Sequence, residues 1–129
     1  MSNRRPFFID TDTASDDAVA LVIALRHPDI DVVGIGVVAG NVPLALTEIN
    51  ARKICELAGR PEIKVFAGAI RPLLRPLVTA EYVHGQTGLD GPVWPEPKMP
   101  LQKQHAVDFI VETLMTHEAG TITLCVLGP

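Results

Sequence analysis

Cysteine is scarce in this chain, with two residues among 129. Cys55 and Cys125 both lie in apolar stretches, so we expect buried, reduced thiols and no disulfide framework. The zinc-type spacing of Cys and His is also missing. Cysteine usage therefore fits a reducing compartment, and we expect a cytoplasmic location.

Long apolar runs and an excess of basic residues are missing as well. No run is long enough to span a bilayer, and residues 1–5 are followed by too few apolar residues for a secretory signal. Lys and Arg are scattered and the net charge is −4, which argues against a nucleic-acid surface. We therefore expect neither a membrane nor a nucleic acid as a partner.

Two common catalytic motifs, the Gly-rich phosphate loop and the Gly-x-Ser-x-Gly nucleophile elbow, are absent. Apolar residues, in contrast, are abundant: they make up 47% of the chain before its ten glycines are counted, and the mean hydropathy is +0.26. A free-standing domain of this size should be less apolar, because much of its surface faces water. We expect part of this surface to be covered by further chain or a partner, with self-association or a homo-oligomer as one outcome.

Apolar strand patterns alternate with helical patterns along the chain. The patterns predict strands at 6–10, 31–38, 63–66 and 121–127, and helices at 16–27, 43–58 and 103–117. A segment rich in Pro and Gly, residues 68–102, is too long for a plain connection. Strand–helix alternation predicts an α/β fold with a mainly parallel sheet and flanking helices, in one domain over residues 1–129.

Four carboxylates occur within eight positions where the first strand meets the first helix: Asp10, Asp12, Asp16 and Asp17. Ser15 or Asp16 is the predicted helix N-cap, but capping needs only one or two of these residues. Clustered carboxylates repel one another, and a hard cation that prefers oxygen ligands would neutralise them. Because ligands bind at the carboxyl ends of strands in open α/β sheets, we expect a metal site here.

The acidic segment resembles the opening of the inosine-uridine-preferring nucleoside hydrolases, in which a strand ends in Asp-x-Asp-Pro-Gly-x-Asp-Asp-Ala. Thr13-Ala14 replace Pro-Gly, so the turn is built differently here. Further segments match in the same order. They are Val38–Asn41 (a Gly-Asn turn), Val83–Gly91 (a His-Gly-x-x-Gly-Leu-x-Gly loop), His105–Ile110 (the start of a middle helix) and Leu127–Pro129 (the first half of Leu-Gly-Pro-Leu-Thr-Asn).

This resemblance implies a Rossmann-like nucleoside hydrolase core that cleaves the N-glycosidic bond of ribonucleosides to give ribose and a free base. It implies Ca²⁺ as the cofactor and a setting in purine and pyrimidine salvage. Asp12 would be both metal ligand and general base, and Asp17 would ligate the same ion. The Leu127 carbonyl would be a backbone ligand, and Asp10 a metal ligand or a supporting carboxylate.

The same resemblance assigns the substrate side of the site. Asp16 and Asn41 would hold ribose hydroxyls, and His84 would contact the nucleoside. Each has a simpler interpretation, since Asn after Gly often only forms a turn and a histidine in a Gly-rich loop is often structural. Asp90, in the same loop, is interpreted as a turn residue.

Members of this family are roughly twice as long or more, so the resemblance implies a truncated core that lacks a later metal-binding Asp and a later His. An inactive remnant, or a chain that only associates, is therefore an alternative to an enzyme. A second alternative is a haloacid-dehalogenase-type phosphatase, whose Asp-x-Asp-x-Thr opening also fits residues 10–13. There Asp10 would be the nucleophile, Asp12 the acid/base and the metal magnesium. Asp16, Asp17 and the loop of His84 would stay unexplained.

Overall fold

The alternation of apolar strands and helices produces a single parallel sheet in the computed structural model, which describes residues 3–129. The elements, in chain order, are β1 (Arg5–Thr11), α1 (Ser15–Arg26), β2 (Ile30–Val37), α2 (Leu44–Leu57), β3 (Val65–Ala67), α3 (Glu81–His84), β4 (Leu101–Gln102), α4 (Ala106–Thr116) and β5 (Thr123–Val126). None of the helices in residues 3–129 is long and apolar enough to cross a membrane.

The sheet has the strand order β4-β3-β2-β1-β5, and every neighbouring pair is parallel. The chain moves outward from β1 to β4 on one side and then returns to place β5 on the other side of β1. Strand order therefore reverses between β1 and β5. In open α/β sheets the crevice at such a reversal, at the carboxyl ends of the strands, is where ligands bind.

One face of the sheet packs against α1 and α2 and forms the main core. β1, β2 and β3 direct β-branched side chains to this face, including Ile9, Ile35 and Val65, where they meet Leu21 and Ile54 of the two helices. All five are at most 2% exposed. This apolar layer holds the carboxyl end of β1 and the first turn of α1 in a fixed relation.

The opposite face packs against α4 through aromatic rings. Phe109 of α4 stacks on Phe66 with ring centroids 4.0 Å apart, and its centroid lies 5.9 Å from that of Phe8. β2 lies beneath these rings, and the residues that face them are Gly34 and Gly36. A Cβ at Gly34 would lie 2.8 Å from Phe109, and one at Gly36 would lie 3.0 Å from Phe8. The glycines of β2 thus make room for the aromatic layer.

The main strands and helices lie where their patterns predict them, with end shifts of a few residues. β3 was predicted two residues early, and β5 and α4 are shorter than predicted. The predicted N-cap was wrong: α1 already begins at Ser15, so Ala14 occupies the cap position, with no side-chain cap. The Pro- and Gly-rich segment contains two short elements that its pattern does not predict, α3 and β4.

Candidate active site at the carboxyl edge of the sheet

The ends of β1, β2 and β5 are joined to one another by backbone hydrogen bonds. The Leu127 N–H donates to the Asp10 carbonyl over 2.8 Å, and the Val38 N–H donates to the Thr11 carbonyl over 3.0 Å. These bonds extend the parallel ladders past the last paired residues. As a result, the segments that carry Asp10, Asn41 and Leu127 lie side by side at the point where the strand order reverses.

Asp12 is buried, at 6% exposure, and Asn41 holds it by two hydrogen bonds. The Asn41 backbone N–H donates to Asp12 Oδ2 over 2.9 Å, and Asn41 Nδ2 donates to the Asp12 carbonyl over 3.1 Å. This approach requires glycine at position 40, because a Cβ there would lie 2.3 Å from Asp12 Oδ2. The Gly-Asn turn after β2 therefore fixes the orientation of the Asp12 carboxylate.

Asp17 lies in the first turn of α1 and is also 6% exposed. Thr11 Oγ1 donates to Asp17 Oδ2 over 2.6 Å. The pKa of Asp17 is raised to about 6, mainly by burial. The hydrogen bond from Thr11 lowers this pKa, whereas a hydrogen bond with the Asp12 side chain and repulsion from Asp12 and Asp16 raise it further. The Asp12–Asp17 pair is thus costly to ionise fully in the absence of a cation.

Asp10 and Asp16 complete the acidic group at this edge. Burial raises the pKa of Asp10, and repulsion from Asp12 adds to that rise. Asp16 is exposed at the start of α1. Asp12 is therefore the centre of the electrostatic interactions, since it raises the pKa of both Asp10 and Asp17.

His84 reaches the same edge from a distant part of the chain. Its Nδ1 lies 2.8 Å from Ser15 Oγ, at the start of α1. The loop that follows is closed by Asp90, which accepts hydrogen bonds from the Gln86 N–H, the Thr87 N–H and the Thr87 hydroxyl. Asp90 is thus a turn residue, as the sequence predicts, and the loop places an imidazole beside the acidic group.

The acidic group has the donor chemistry of a hard cation site, but it does not form a complete ligand shell. Asp10, Asp12 and Asp17 are buried or half-buried, and the pKa values of Asp10 and Asp17 are raised. Among residues 3–129, no group of three or more His, Cys, Asp or Glu side chains is arranged to hold a metal ion. Asp12 and Asp17 are the two buried side chains of the group that could serve as ligands of such an ion.

The family model described as "Inosine-uridine preferring nucleoside hydrolase" matches residues 7–129. The chain belongs to this family. The resemblance inferred from the acidic segment and the later motifs is confirmed, and so is the parallel sheet with flanking helices of a nucleoside hydrolase core.

Individual relatives agree with the family. A protein of Schizosaccharomyces pombe named only as uncharacterized is 49% identical over 121 residues. The pyrimidine-specific ribonucleoside hydrolase RihA of Photobacterium profundum is 43% identical over 125 residues. These matches cover 94% and 97% of this chain but 39% and 40% of the relatives. The chain thus spans about two-fifths of the length of the curated relatives it matches.

Solved structures of nucleoside hydrolases show the same arrangement. A purine-preferring ribonucleoside hydrolase from Gardnerella vaginalis superposes with a TM-score of 0.89 at 27% identity, and the plant nucleoside hydrolase PpNRh1 with a TM-score of 0.85 at 32% identity. Each match covers 97% of this chain and 40% of the other. The names of the relatives include both pyrimidine-specific and purine-preferring enzymes, so they do not point to one base.

The structure brings the predicted site residues of this nucleoside hydrolase chain to one sheet edge. Asp12 and Asp17 interact directly, Asp10 and Asp16 act on them through charge, and Asn41 contacts Asp12. The Leu127 backbone bonds to Asp10, and His84 bonds to Ser15. Their roles as ligand, base or substrate contact stay predictions.

Four residues contribute to this edge in ways that the sequence motifs do not indicate: Thr11, Ser15 beyond a cap, Gly40 and Asn50. Thr11 and Gly40 act directly on Asp17 and Asp12. Asn50 could have been noticed from its spacing, because α2 buries Thr47, Asn50, Ala51, Ile54 and Cys55 in a helical stripe. A polar side chain at such a position indicates a specific hydrogen-bond partner.

Proposed function

We propose that this chain forms the N-terminal part of a calcium-dependent ribonucleoside hydrolase and carries its general base and two of its metal ligands. The observation that supports this most is the buried Asp12–Asp17 pair at the strand-order reversal. The proposal includes a single partial α/β domain over residues 1–129 and a cytoplasmic location.

Asp12 and Asp17 would hold the calcium ion, with Asp10 and the Leu127 carbonyl beside them. A bound calcium ion lowers the pKa of water and orients sugar hydroxyls. Asp12 takes a proton from the attacking water, whose oxygen forms the new bond to the ribose C1′. The bond to the base nitrogen breaks, and its electron pair leaves with the base as an anion that solvent protonates. Asp16 and Asn41 hold ribose hydroxyls, and His84 contacts the nucleoside near the departing base. The transition state has oxocarbenium character, so the nearby carboxylates also stabilise its positive charge.

Calcium titration by calorimetry tests the metal part of this proposal. We expect millimolar-range affinity, because fewer carboxylates give weaker binding of a hard cation. Asp12→Asn combined with Asp17→Asn should remove the signal, whereas Asp29→Asn, an exposed loop substitution, should leave it unchanged. Equal heats for the parent and the double variant would exclude a site at these two residues.

The phosphatase alternative loses its basis, because family membership accounts for residues 10–13 as the start of a nucleoside hydrolase site. A chain that associates without turnover stays a second candidate. It is favoured by the exposed apolar side chains of α4 and β5, namely Val107, Val111, Met115, Leu124 and Val126. Release of ribose from inosine and uridine, measured together with the mass of the particle in solution, separates the two.

A further inference from the structure

Asn50 is a buried amide that belongs neither to the apolar core nor to the predicted ligand set. It lies on α2 and is 1% exposed. Its Nδ2 donates to the Thr13 carbonyl over 3.1 Å and to the Thr87 carbonyl over 2.7 Å. Because an unpaired buried polar group is costly, this environment specifically favours a side chain with two N–H donors.

The two carbonyls belong to the two separate segments of the site. Thr13 lies in the turn between Asp12 and Asp17, and Thr87 lies three residues after His84 in the loop closed by Asp90. The loop rests directly against the amide, since a Cβ at Gly88 would lie 3.0 Å from Asn50 Nδ2. One buried side chain thus connects segments that are more than seventy positions apart in the sequence.

The loop itself is tightly braced, so a bond at one of its residues positions the others. Asp90 accepts from the N–H groups of Gln86 and Thr87, and the Gly88 N–H donates to the Gly85 carbonyl. His84 is then tied to α1 through Ser15. The bond from Asn50 to Thr87 and the bond between Ser15 and His84 attach this loop to the acidic turn and to α1.

We propose that Asn50 is a positioning residue: by bridging the Thr13 and Thr87 carbonyls, it sets the place of His84 relative to Asp12 and Asp17. Asn50 acts through the loop and contacts no substrate. The part that concerns His84 and the nucleoside rests on the proposed function, whereas the bridge between the two segments does not.

The chain contains its own reporter of this loop. Trp94 is the single tryptophan of the sequence, and its Nε1 donates to the Leu89 carbonyl over 2.9 Å. Leu89 follows Gly88, so displacement of the loop changes the surroundings of the indole. Its fluorescence can therefore be followed without any ligand.

The test compares Asn50→Ala and Asn50→Ser with Thr47→Val, all in the 129-residue chain. Thr47 is equally buried one turn earlier on α2, but its hydroxyl bonds the Val38 and Leu44 carbonyls and not the loop. Both Asn50 variants should shift Trp94 emission to longer wavelength. They should also raise amide exchange at least tenfold at Thr87 and Leu89. Thr47→Val should lower the melting temperature and leave both readouts unchanged.

A ligand-binding measurement separates positioning from a general loss of structure. In the Asn50 variants the calcium affinity should stay within about threefold of the parent, because Asn41 and Thr11 still hold Asp12 and Asp17. Affinity for inosine or uridine should fall at least tenfold. If the parent binds neither calcium nor nucleoside, the proposed function fails, while the exchange and emission measurements still decide whether Asn50 fixes the loop.

Gly88→Ala tests the proposal independently, in case the Asn50 variants do not fold. Gly88→Ala leaves Asn50 in place but inserts a methyl group between the amide and the loop, at a backbone φ of +85°. It should reproduce the emission shift and the faster exchange. Unchanged loop exchange in Asn50→Ala or Asn50→Ser, or the same change in Thr47→Val, would overturn the proposal, as would a Gly88→Ala loop identical to that of the parent.

Discussion

Asp12 is the residue on which the proposed chemistry depends, and its neighbours fix both its position and its charge. Asp12→Asn, made in a version extended to family length, keeps the side-chain volume but removes the proton acceptor. We expect nucleoside hydrolysis to fall by about 10²–10⁴-fold, or more if metal binding also suffers, with little change in melting temperature. Steady-state assays of ribose release measure this, with Asp29→Asn as the control. Activity within a few-fold of the control would remove Asp12 from the role of base.

Asp17 should make the metal-free protein more stable in mild acid. Its pKa is raised from 3.8 to about 6 by burial and by Asp12, so the folded state binds this proton more tightly than the unfolded state does. The free energy of unfolding of the metal-free protein therefore increases as the pH falls through about 6 toward 4, and it decreases as the pH rises again. Melting curves in a chelator between pH 7 and pH 5 should show a larger gain in the parent than in Asp17→Asn, in which only the raised pKa of Asp10 remains. Parallel curves for the two proteins would contradict the assignment.

The residues of the site were predictable from sequence only where their signal is local. Four carboxylates in eight positions stand out in the sequence without any structure, because their mutual repulsion needs an explanation. Thr11 does not stand out, because it acts by bonding Asp17 across the turn. The spacing of Asn50 indicates only a buried polar residue, because its partner Thr87 is brought to it by tertiary packing. The bond between Ser15 and His84 joins residues 69 positions apart, so no local pattern in the sequence indicates it.

At the scale of elements, the turn after β2 serves the site and the middle of β2 serves the core. Gly40→Ala places a Cβ 2.3 Å from Asp12 Oδ2, so the carboxylate must move and lose the Asn41 N–H. Gly36→Ala places a Cβ 3.0 Å from Phe8 on the aromatic face instead. We expect both variants to lose stability, but only Gly40→Ala to lose calcium affinity, by tenfold or more in a calorimetric titration. Equal loss of affinity in both would show that the turn does not set the Asp12 geometry.

The elements that the sequence predicted are the ones that bury long apolar patterns. β1, β2, α1 and α2 each supply side chains to the main core, so hydrophobic periodicity and strand–helix alternation locate them. α3 has four residues and β4 has two, which is too short for any periodic signal. Both are stabilised by contacts with neighbouring segments. The Ala80 N–H, just before α3, donates to the Asn41 carbonyl, and β4 pairs with β3.

At the scale of the whole molecule, part of the apolar excess of the sequence is exposed on α4 and on β5. β5 is an edge strand with Leu124 44% exposed and Val126 62% exposed, and Met115 of α4 is 80% exposed. An exposed apolar edge strand is an association hazard. The chain also covers about two-fifths of the relatives' length, which fits a face that further chain covers in a family member.

The 129-residue chain by itself should therefore associate and turn over nucleosides too slowly to detect. Departure of a base needs an acid or hydrogen bonds at the leaving group, and His84 is the only candidate at this edge among the described residues. We expect light scattering to show oligomers, and Val111→Glu with Met115→Lys to shift them toward monomers. Val19→Lys with Ile23→Glu, on α1 at 61% and 59% exposure, is the matched control and should shift them less. A monodisperse monomer that releases ribose from inosine or uridine at about 1 s⁻¹ or faster would show that residues 1–129 suffice for catalysis.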